Sequence, residues 1–333
     1  MDVLIVGGGI IGLAIALELA QAGMAVTLVE RGELGRGATW ASAGMLAPEA
    51  EELTGQLLQL GLQSRQMYPH WIAQIMRLTG LSCGYWCCGI LKPTADPTQP
   101  HCLTGQELQQ KQSGLGFAQA VWLPEDGQVD NRLLTMALIS AVRSQGVKVL
   151  TGTAVYKVAT LGDRVLYLET SAGRLTAAHY VLATGAWTQE LLPLPITPKK
   201  GQMLAVFDPE RSLQRVIFGD GIYLVPRQDG RIVIGATVED VGWQGQCTAQ
   251  GINHLLSGAI ALYPAIAEMP VIETWWGFRP YAPNEQLLVG ESAYHNLSLA
   301  LGHYRNGILL APITAQILRH WILNRQTLDA PAT

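Results

Sequence analysis

The chain opens on an uninterrupted apolar run, Val3-Leu-Ile-Val6, passes through Gly7-Gly8-Gly9, and enters a second apolar stretch, residues 10–20, whose one charged position is Glu18. The first run has the length of a buried strand and the second that of a buried helix. A further run, Ala25-Val-Thr-Leu-Val29, predicts a second strand ending at Glu30. Residues 51–79 read as one or two helices, and residues 83–126 as irregular chain with short strands and several prolines. Asp130 is placed to cap a helix through Leu133, Leu134, Ala137, Leu138, Ala141 and Val142, which Gly146 ends before the strand Val147-Lys-Val-Leu150. Residues 155–178 alternate as a small antiparallel meander, and Tyr180-Val-Leu-Ala183 predicts a buried strand closing in the Thr184-Gly185 turn. Residues 200–240 predict strands of a mixed sheet around an Asp229-Gly230 hairpin turn. Two more strands, Leu287 to Gly290 and Leu297 to Leu301, precede an apolar helix near residues 310–323.

The junction of the first strand and helix carries chemistry. Gly7, Gly9 and Gly12 form a G-x-G-x-x-G turn there: the first glycine allows the tight turn, the second a close backbone approach to a pyrophosphate, the third close helix packing. The open helix end adds unpaired N–H groups and a positive dipole. Glu30 stands 18 positions beyond Gly12, where a carboxylate accepts hydrogen bonds from ribose hydroxyls and repels a 2′-phosphate. The expected adenosine is therefore unphosphorylated, as in FAD or NAD. Residues 31–46 are unusually rich in Gly, Ala and Ser, so that backbone can lie against a flat ligand.

Composition narrows the class. At 333 residues and 36.0 kDa, with 49% hydrophobic and 14% charged residues, the chain has material for two cores. The predicted class is α/β: a Rossmann-like dinucleotide domain (residues 1–80, 127–199 and 284–333) interleaved with an α+β substrate domain on a mixed or antiparallel sheet (residues 81–126 and 200–283). A net charge of −4 and an absent Lys/Arg stripe leave no footprint for nucleic acid. Mean hydropathy is +0.20, yet Gly7, Gly8, Gly9, Gly12 and Glu18 interrupt the first apolar segment and no basic region precedes it, so neither a transmembrane span nor a signal peptide is expected, and the location is cytoplasmic. Peripheral membrane attachment stays open. Cys83, Cys87, Cys88 and Cys102, with His101, match no common zinc spacing and are expected as buried free thiols, with no metal. A single glycine turn leaves no second nucleotide domain to reduce a flavin, so electrons would come from the substrate.

With these motifs assembled, the chain resembles the D-amino-acid oxidase superfamily of flavoproteins, in particular its glycine oxidases of thiamine biosynthesis, over nearly its whole length. The resemblance rests on residues 7–12 with Glu30, Ala38-Thr39, Ala43-Gly44-Met45, Lys200-Gly201-Gln202, Tyr223-Leu-Val-Pro-Arg227, Gly277-Phe-Arg279-Pro280 and His303-Tyr304-Arg305-Asn306-Gly307-Ile308-Leu309-Leu-Ala-Pro312. It implies an extended, buried FAD contacted by Gly7, Gly9, Ile10, Ile11, Gly12, Glu30, Arg31, Ala38, Thr39, Ala43, Gly44, Met45, Val155 and residues 303–309, with Gly185 from the second turn. It also implies oxidation of glycine, sarcosine or D-alanine by dioxygen, and a homo-oligomer, expected as a tetramer. Some relatives carry cysteine-linked flavin, but the last 86 residues hold no cysteine, so FAD is expected noncovalent.

Arg279 lies among aromatics and a proline, and a guanidinium there could clamp a substrate carboxylate with two hydrogen bonds or form an interdomain salt bridge. Tyr223 could add a hydroxyl to the same carboxylate or belong to the core. Arg305 could serve the substrate, the flavin or the domain interface. Asn306-Gly307 would aim a helix N-terminus at the flavin, with Pro312 in its first turn. Gly221 and Val238 are the positions expected to limit the substrate's α-substituent. No acid or base stands out. The competing functions are a dehydrogenase of D-amino acids, sarcosine or proline that uses a non-oxygen acceptor, and a nucleotide-binding regulatory module, which leaves Arg279 and Tyr223 without a purpose.

Overall fold

A computed structural model describes residues 2–329. Its first sheet has six strands in the order Leu288–Glu291, Leu297–Leu301, His179–Leu182, Asp2–Val6, Ala25–Val29, Lys148–Leu150. All neighbours run parallel except the antiparallel edge strand Leu288–Glu291. The central strands are mostly apolar because both faces are covered, with Thr27, His179 and Ser298 among the polar exceptions. Val3, Ile5, Val26 and Leu28 pack on a helical layer formed by Ile10–Gln21, Gly55–Thr79, Asn131–Ser144 and Gly307–Asp329. Leu4, Val6 and Val29 point the other way, onto Val165 and Leu168 of the meander Val155–Leu161, Arg164–Thr170, Gly173–Leu175.

The first helix is buried almost all round, from Ile10 through Leu19, which explains why its sequence has the hydropathy of a membrane segment. Among the described residues, no helix is long and apolar enough to cross a membrane. Asp130 caps its helix as expected, its Oδ1 accepting from the N–H groups of Arg132 and Leu133. Residues 55–79 form one helix, with Pro69 inside it.

The last helix departs from expectation. It begins at Gly307, so Pro312 lies inside it and not in its first turn. Proline has no N–H to give the carbonyl of Ile308 four residues earlier. The Tyr68 hydroxyl donates to that carbonyl, and Ser64 donates to the carbonyl of Leu309 while its oxygen accepts from the N–H of Ile313. The long helix thus closes the interruption with two buried hydroxyls.

The second sheet has eight strands in the order Val271–Tyr281, Thr197–Phe207, Arg231–Gly235, Tyr223–Pro226, Val216–Phe218, Ile90–Pro93, Gln119–Leu123, Cys102–Thr104, antiparallel except where Val216–Phe218 meets Ile90–Pro93. One face packs on the helix Ala249–Leu262 through Leu204, Leu224, Ile234 and Leu255. The other receives the small residues Ala41, Ala43, Ala47 and Ala50 against Met203, Val225 and Trp275. Part of the small-residue stretch therefore serves close packing between the two layers. Of the cysteines expected to be buried, Cys83 and Cys88 are, and burial pushes both thiols up to about 11. Cys87 is exposed and Cys102 half-buried on the outermost strand, so that expectation fails for them.

Two arginines tie the sheets together. Arg227, just past its strand, is buried; it donates to the carbonyls of Ala43 and Val129 and to Asn131 and Gln128, beside the carboxylate of Asp130. Arg132 forms a two-pronged pair with Glu273 at 2.8 and 2.9 Å, its guanidinium lying over the Trp40 and Trp275 rings.

Candidate active site

Between the two sheets lies a cavity of about 420 Å³. Its floor is the glycine turn. A Cβ at Gly7 would sit 2.3 Å from the carbonyl oxygen of Ala183, and one at Gly12 would sit 1.9 Å from that of Gly7. Gly12 therefore lets the helix press onto the strand and does not itself line the cavity, whereas Gly7, Gly9, Ile10 and Ile11 do. Glu30 ends its strand with its carboxylate spread between two N–H groups, Gly8 at 2.7 Å and Gly32 at 2.9 Å. A carboxylate oxygen has a second lone pair, so both remain able to accept from a ligand hydroxyl.

Thr39 does work at this turn that its sequence position did not show. The helix N-cap is Gly9, which has no side chain to satisfy the first N–H groups, and Thr39 Oγ1 accepts from Ile10 N at 2.9 Å. A Thr39→Ala variant is expected to lose about 1 kcal/mol of stability, as for a lost cap, and to bind FAD more weakly; thermal melting with and without added FAD measures both.

The remaining nominated residues gather around the same space. Arg31, Ala38, Ala43, Gly44, Met45, Val155, Gly185, His303, Tyr304, Asn306, Gly307 and Ile308 line it. Leu309 does not; it packs into the helical core. Asn306 precedes the first residue of the last helix, and its carbonyl accepts from Leu310 N, so that helix also opens onto the cavity. His303 is buried with its Nε2 3.0 Å from Thr314 Oγ1, and burial pushes its pKa down to about 3, so the imidazole is neutral at physiological pH.

The opposite wall comes from the eight-stranded sheet. Gly201 faces Gly277 across the strand pair, and the Arg279 guanidinium lies over Gly201, where a Cβ would meet its Nη1 at 2.3 Å. Arg279 donates to the carbonyls of Thr237 at 3.1 Å and Lys200 at 3.4 Å, and among the described residues no carboxylate lies within ion-pair range of it. The interdomain salt bridge considered for it is thus not formed. Tyr223 lies over Gly235, its partner in register, where a Cβ would meet the phenol oxygen at 2.5 Å. Burial raises the pKa of this phenol, and the Arg279 charge opposes the rise. Arg305 is half-exposed and pairs with Glu51 at 3.5 Å and Glu285 at 3.8 Å.

Gly221 and Val238 do not line the cavity; both lie outside the strands, and Val238 is 58% exposed. Sequence reasoning missed Glu51, a buried carboxylate in the cavity wall, because it stands in an acidic run, Glu49 to Glu52, that reads as a solvated face.

The residues present suit FAD. A cradle without side chains, a carboxylate held for ribose hydroxyls and two helix N-termini face one long cavity, and among the described residues no cysteine lines it. The FAD dependent oxidoreductase model, DAO, matches residues 2–321. The chain is 46% identical to the bifunctional protein ThiO/ThiG of Trichormus variabilis, over 98% of this chain and 53% of that protein. It thus spans about half the length of that relative. It is 32% identical to the glycine oxidase of Pseudomonas aeruginosa, over 99% of this chain and 97% of that one. The crystal structure of glycine oxidase from Geobacillus kaustophilus superposes with a TM-score of 0.91 at 33% identity, covering 97% of this chain and 94% of that one. The glycine turn, Glu30 and the paired sheets are thus those of a member of the FAD dependent oxidoreductase family, DAO, to which this chain belongs.

Proposed function

We propose that this protein oxidatively deaminates glycine and other small amino acids such as sarcosine and D-alanine, giving the imine or 2-oxo acid, ammonia and, from dioxygen, hydrogen peroxide. The observation that carries the reading is Arg279: a guanidinium facing the cavity with no carboxylate of its own among the described residues, beside the Tyr223 phenol. Two parallel N–H donors fix a substrate carboxylate in one plane, and thereby fix the α-carbon two bonds away. Bound FAD, held noncovalently by the glycine turn, Glu30 and the last helix's N-terminus, would supply the hydride acceptor. Arg279 and Tyr223 bind and orient, and the two sheets exclude water from the reacting carbon. Neutral His303 adds no charge to the wall. Among amino acids, the kinship with glycine oxidases favours small ones. The kinship with ThiO/ThiG and glycine oxidases supports placing the product in thiamine thiazole synthesis, in the cytoplasm. The exposed edge strand carrying Val271, Ile272 and Trp276 supports assembly into a homo-oligomer, and the tetramer rests on the family resemblance alone.

The test is an anaerobic absorption spectrum of the FAD-loaded protein titrated in turn with glycine, sarcosine and D-alanine. Bands that glycine bleaches and air restores, with peroxide formed, are the expected result. Bands that return only with an artificial acceptor would replace the oxidase by a dehydrogenase.

A further inference from the structure

Glu51 has no part in the scheme above, yet the chain builds a turn to hold it. In residues 47–53 the N–H of Glu51 bonds to the carbonyl of Ala47 and that of Leu53 to Pro48. The turn is pinned from below: Asp126 accepts from Ala50 N at 2.9 Å, and buried Arg65 donates to both Asp126 and Glu49. Glu52 pairs outward with Lys92. Glu51 alone turns into the cavity, with 9% of its side chain exposed and its Oε2 buried without a hydrogen-bond partner; Arg305 stands 3.5 Å away in ion-pair range only. A buried carboxylate oxygen left without a donor costs free energy that a bound donor would recover.

The groups facing Glu51 come from five elements: Arg305 before the last helix, Arg279 on Val271–Tyr281, Glu285 on Pro283–Glu285, Lys92 on Ile90–Pro93, and Tyr223 on Tyr223–Pro226. The Arg279 guanidinium and the Glu51 carboxylate, the latter in ion-pair range of Arg305, thus line one cavity. An amino-acid zwitterion carries the complementary pair.

We propose that Glu51 binds the substrate's ammonium group and takes one of its protons, selecting amino acids over 2-hydroxy acids and leaving the neutral amine that can lose hydride from its α-carbon. One N–H bond breaks, its electron pair stays on nitrogen, and an O–H bond forms on the carboxylate; the proton leaves to solvent when product departs. The proposal rests on the amino-acid reading given above and names the group that recognises the amine. Burial raises the Glu51 pKa, opposed by Arg305 and Arg279, which brings the carboxylate closer to the range in which it can accept and release a proton.

The test uses FAD-loaded wild type, Glu51→Gln and Glu51→Asp, with thermal melting to confirm folding. Two readouts are taken: anaerobic flavin reduction by glycine, and calorimetric binding of acetate, which has the carboxylate but no ammonium. Glu51→Gln is expected to slow reduction by glycine about 10²-fold or more, and to bind acetate more tightly, since a like charge has gone. Glu51→Asp keeps the charge and should retain more of the activity. In wild type, acetate should bind more tightly as pH falls through the raised Glu51 pKa, because protonation removes the repulsion; Glu51→Gln should lack this dependence. Parallel weakening of both ligands would show a merely structural role and overturn the proposal. Unchanged reduction by glycine in Glu51→Gln would overturn it alone, whereas a wild-type flavin that no amino acid bleaches would overturn the amino-acid reading and the proposal with it.

Discussion

Replacing Arg279 by Ala is expected to lower kcat/KM for glycine on the order of 10²–10³-fold, mostly through KM, while the protein stays yellow. The size follows from losing one partner of an enclosed, charge-assisted pair, which costs about 2–5 kcal/mol. The colour follows from geometry: Arg279 stands on the wall formed by Val271–Tyr281, whereas Glu30, Thr39 and the glycine turn belong to the other layer. Arg279→Lys should recover little, because an ammonium cannot donate in the paired plane of a guanidinium. Steady-state kinetics with the flavin spectrum of each variant checks both halves. Unchanged KM would remove Arg279 from the site, and a colourless variant would show it to be structural.

The largest effect on stability is expected at Arg227. Burial lowers its pKa to about 10, against the attraction of Asp130, so keeping this charge inside is itself costly. Removing it costs more. Arg227→Ala leaves Asp130 with Arg231, at 2.8 Å, as its remaining charge partner, while the carbonyls of Ala43 and Val129 and the side chains of Asn131 and Gln128 lose their shared buried donor. The expected loss is about 3–5 kcal/mol, read from urea unfolding monitored by tryptophan fluorescence. Since Ala43 lines the cavity, FAD should also be held less tightly. A loss below about 1 kcal/mol would mean that water enters and replaces the guanidinium.

What the sequence made legible was local or chemically singular. The first strand, glycine turn and helix lie within 20 residues, and Gly12 answers to a clash with the backbone of Gly7 five residues before it, although the carbonyl that crowds Gly7 comes from Ala183, beyond another strand. Glu30 follows from the length of one strand-helix-strand unit. Arg279 stood out because a guanidinium amid aromatics needs a partner. The long-range features were hidden for a physical reason: nothing in a local pattern tells which remote group fills an unmet need. Thr39 caps a helix 29 residues earlier in the chain, and Ser64 and Tyr68 mend a helix some 240 residues later. The interior position of Pro312 could not be foreseen, since proline reads as a first-turn residue unless hydroxyls from elsewhere are known to wait for the freed carbonyls. Glu51 was missed because acidic runs are ordinarily solvated, and only the burial of one member of this run sets it apart. Gly221 and Val238 were nominated without knowledge of which way they point, and both lie outside the strands, in connecting segments.

The order of strands in the six-stranded sheet also bears on how the protein comes into being. Asp2–Val6 has His179–Leu182 as a neighbour, and that strand in turn needs Leu297–Leu301; the first helix is covered by residues 307 onward. At ordinary ribosomal speeds of roughly 5–20 residues per second, the strand that emerges first waits on the order of tens of seconds for its last layer. Through that interval the face of Ile10–Gln21 that meets the last helix has no cover, and the cradle at Gly7 lacks the wall given by residues 300–308. Nascent chains should therefore depend on holding chaperones, and cofactor capture should wait until residues 297–309 have emerged, sensitive to how much free flavin nucleotide the cell has at that point.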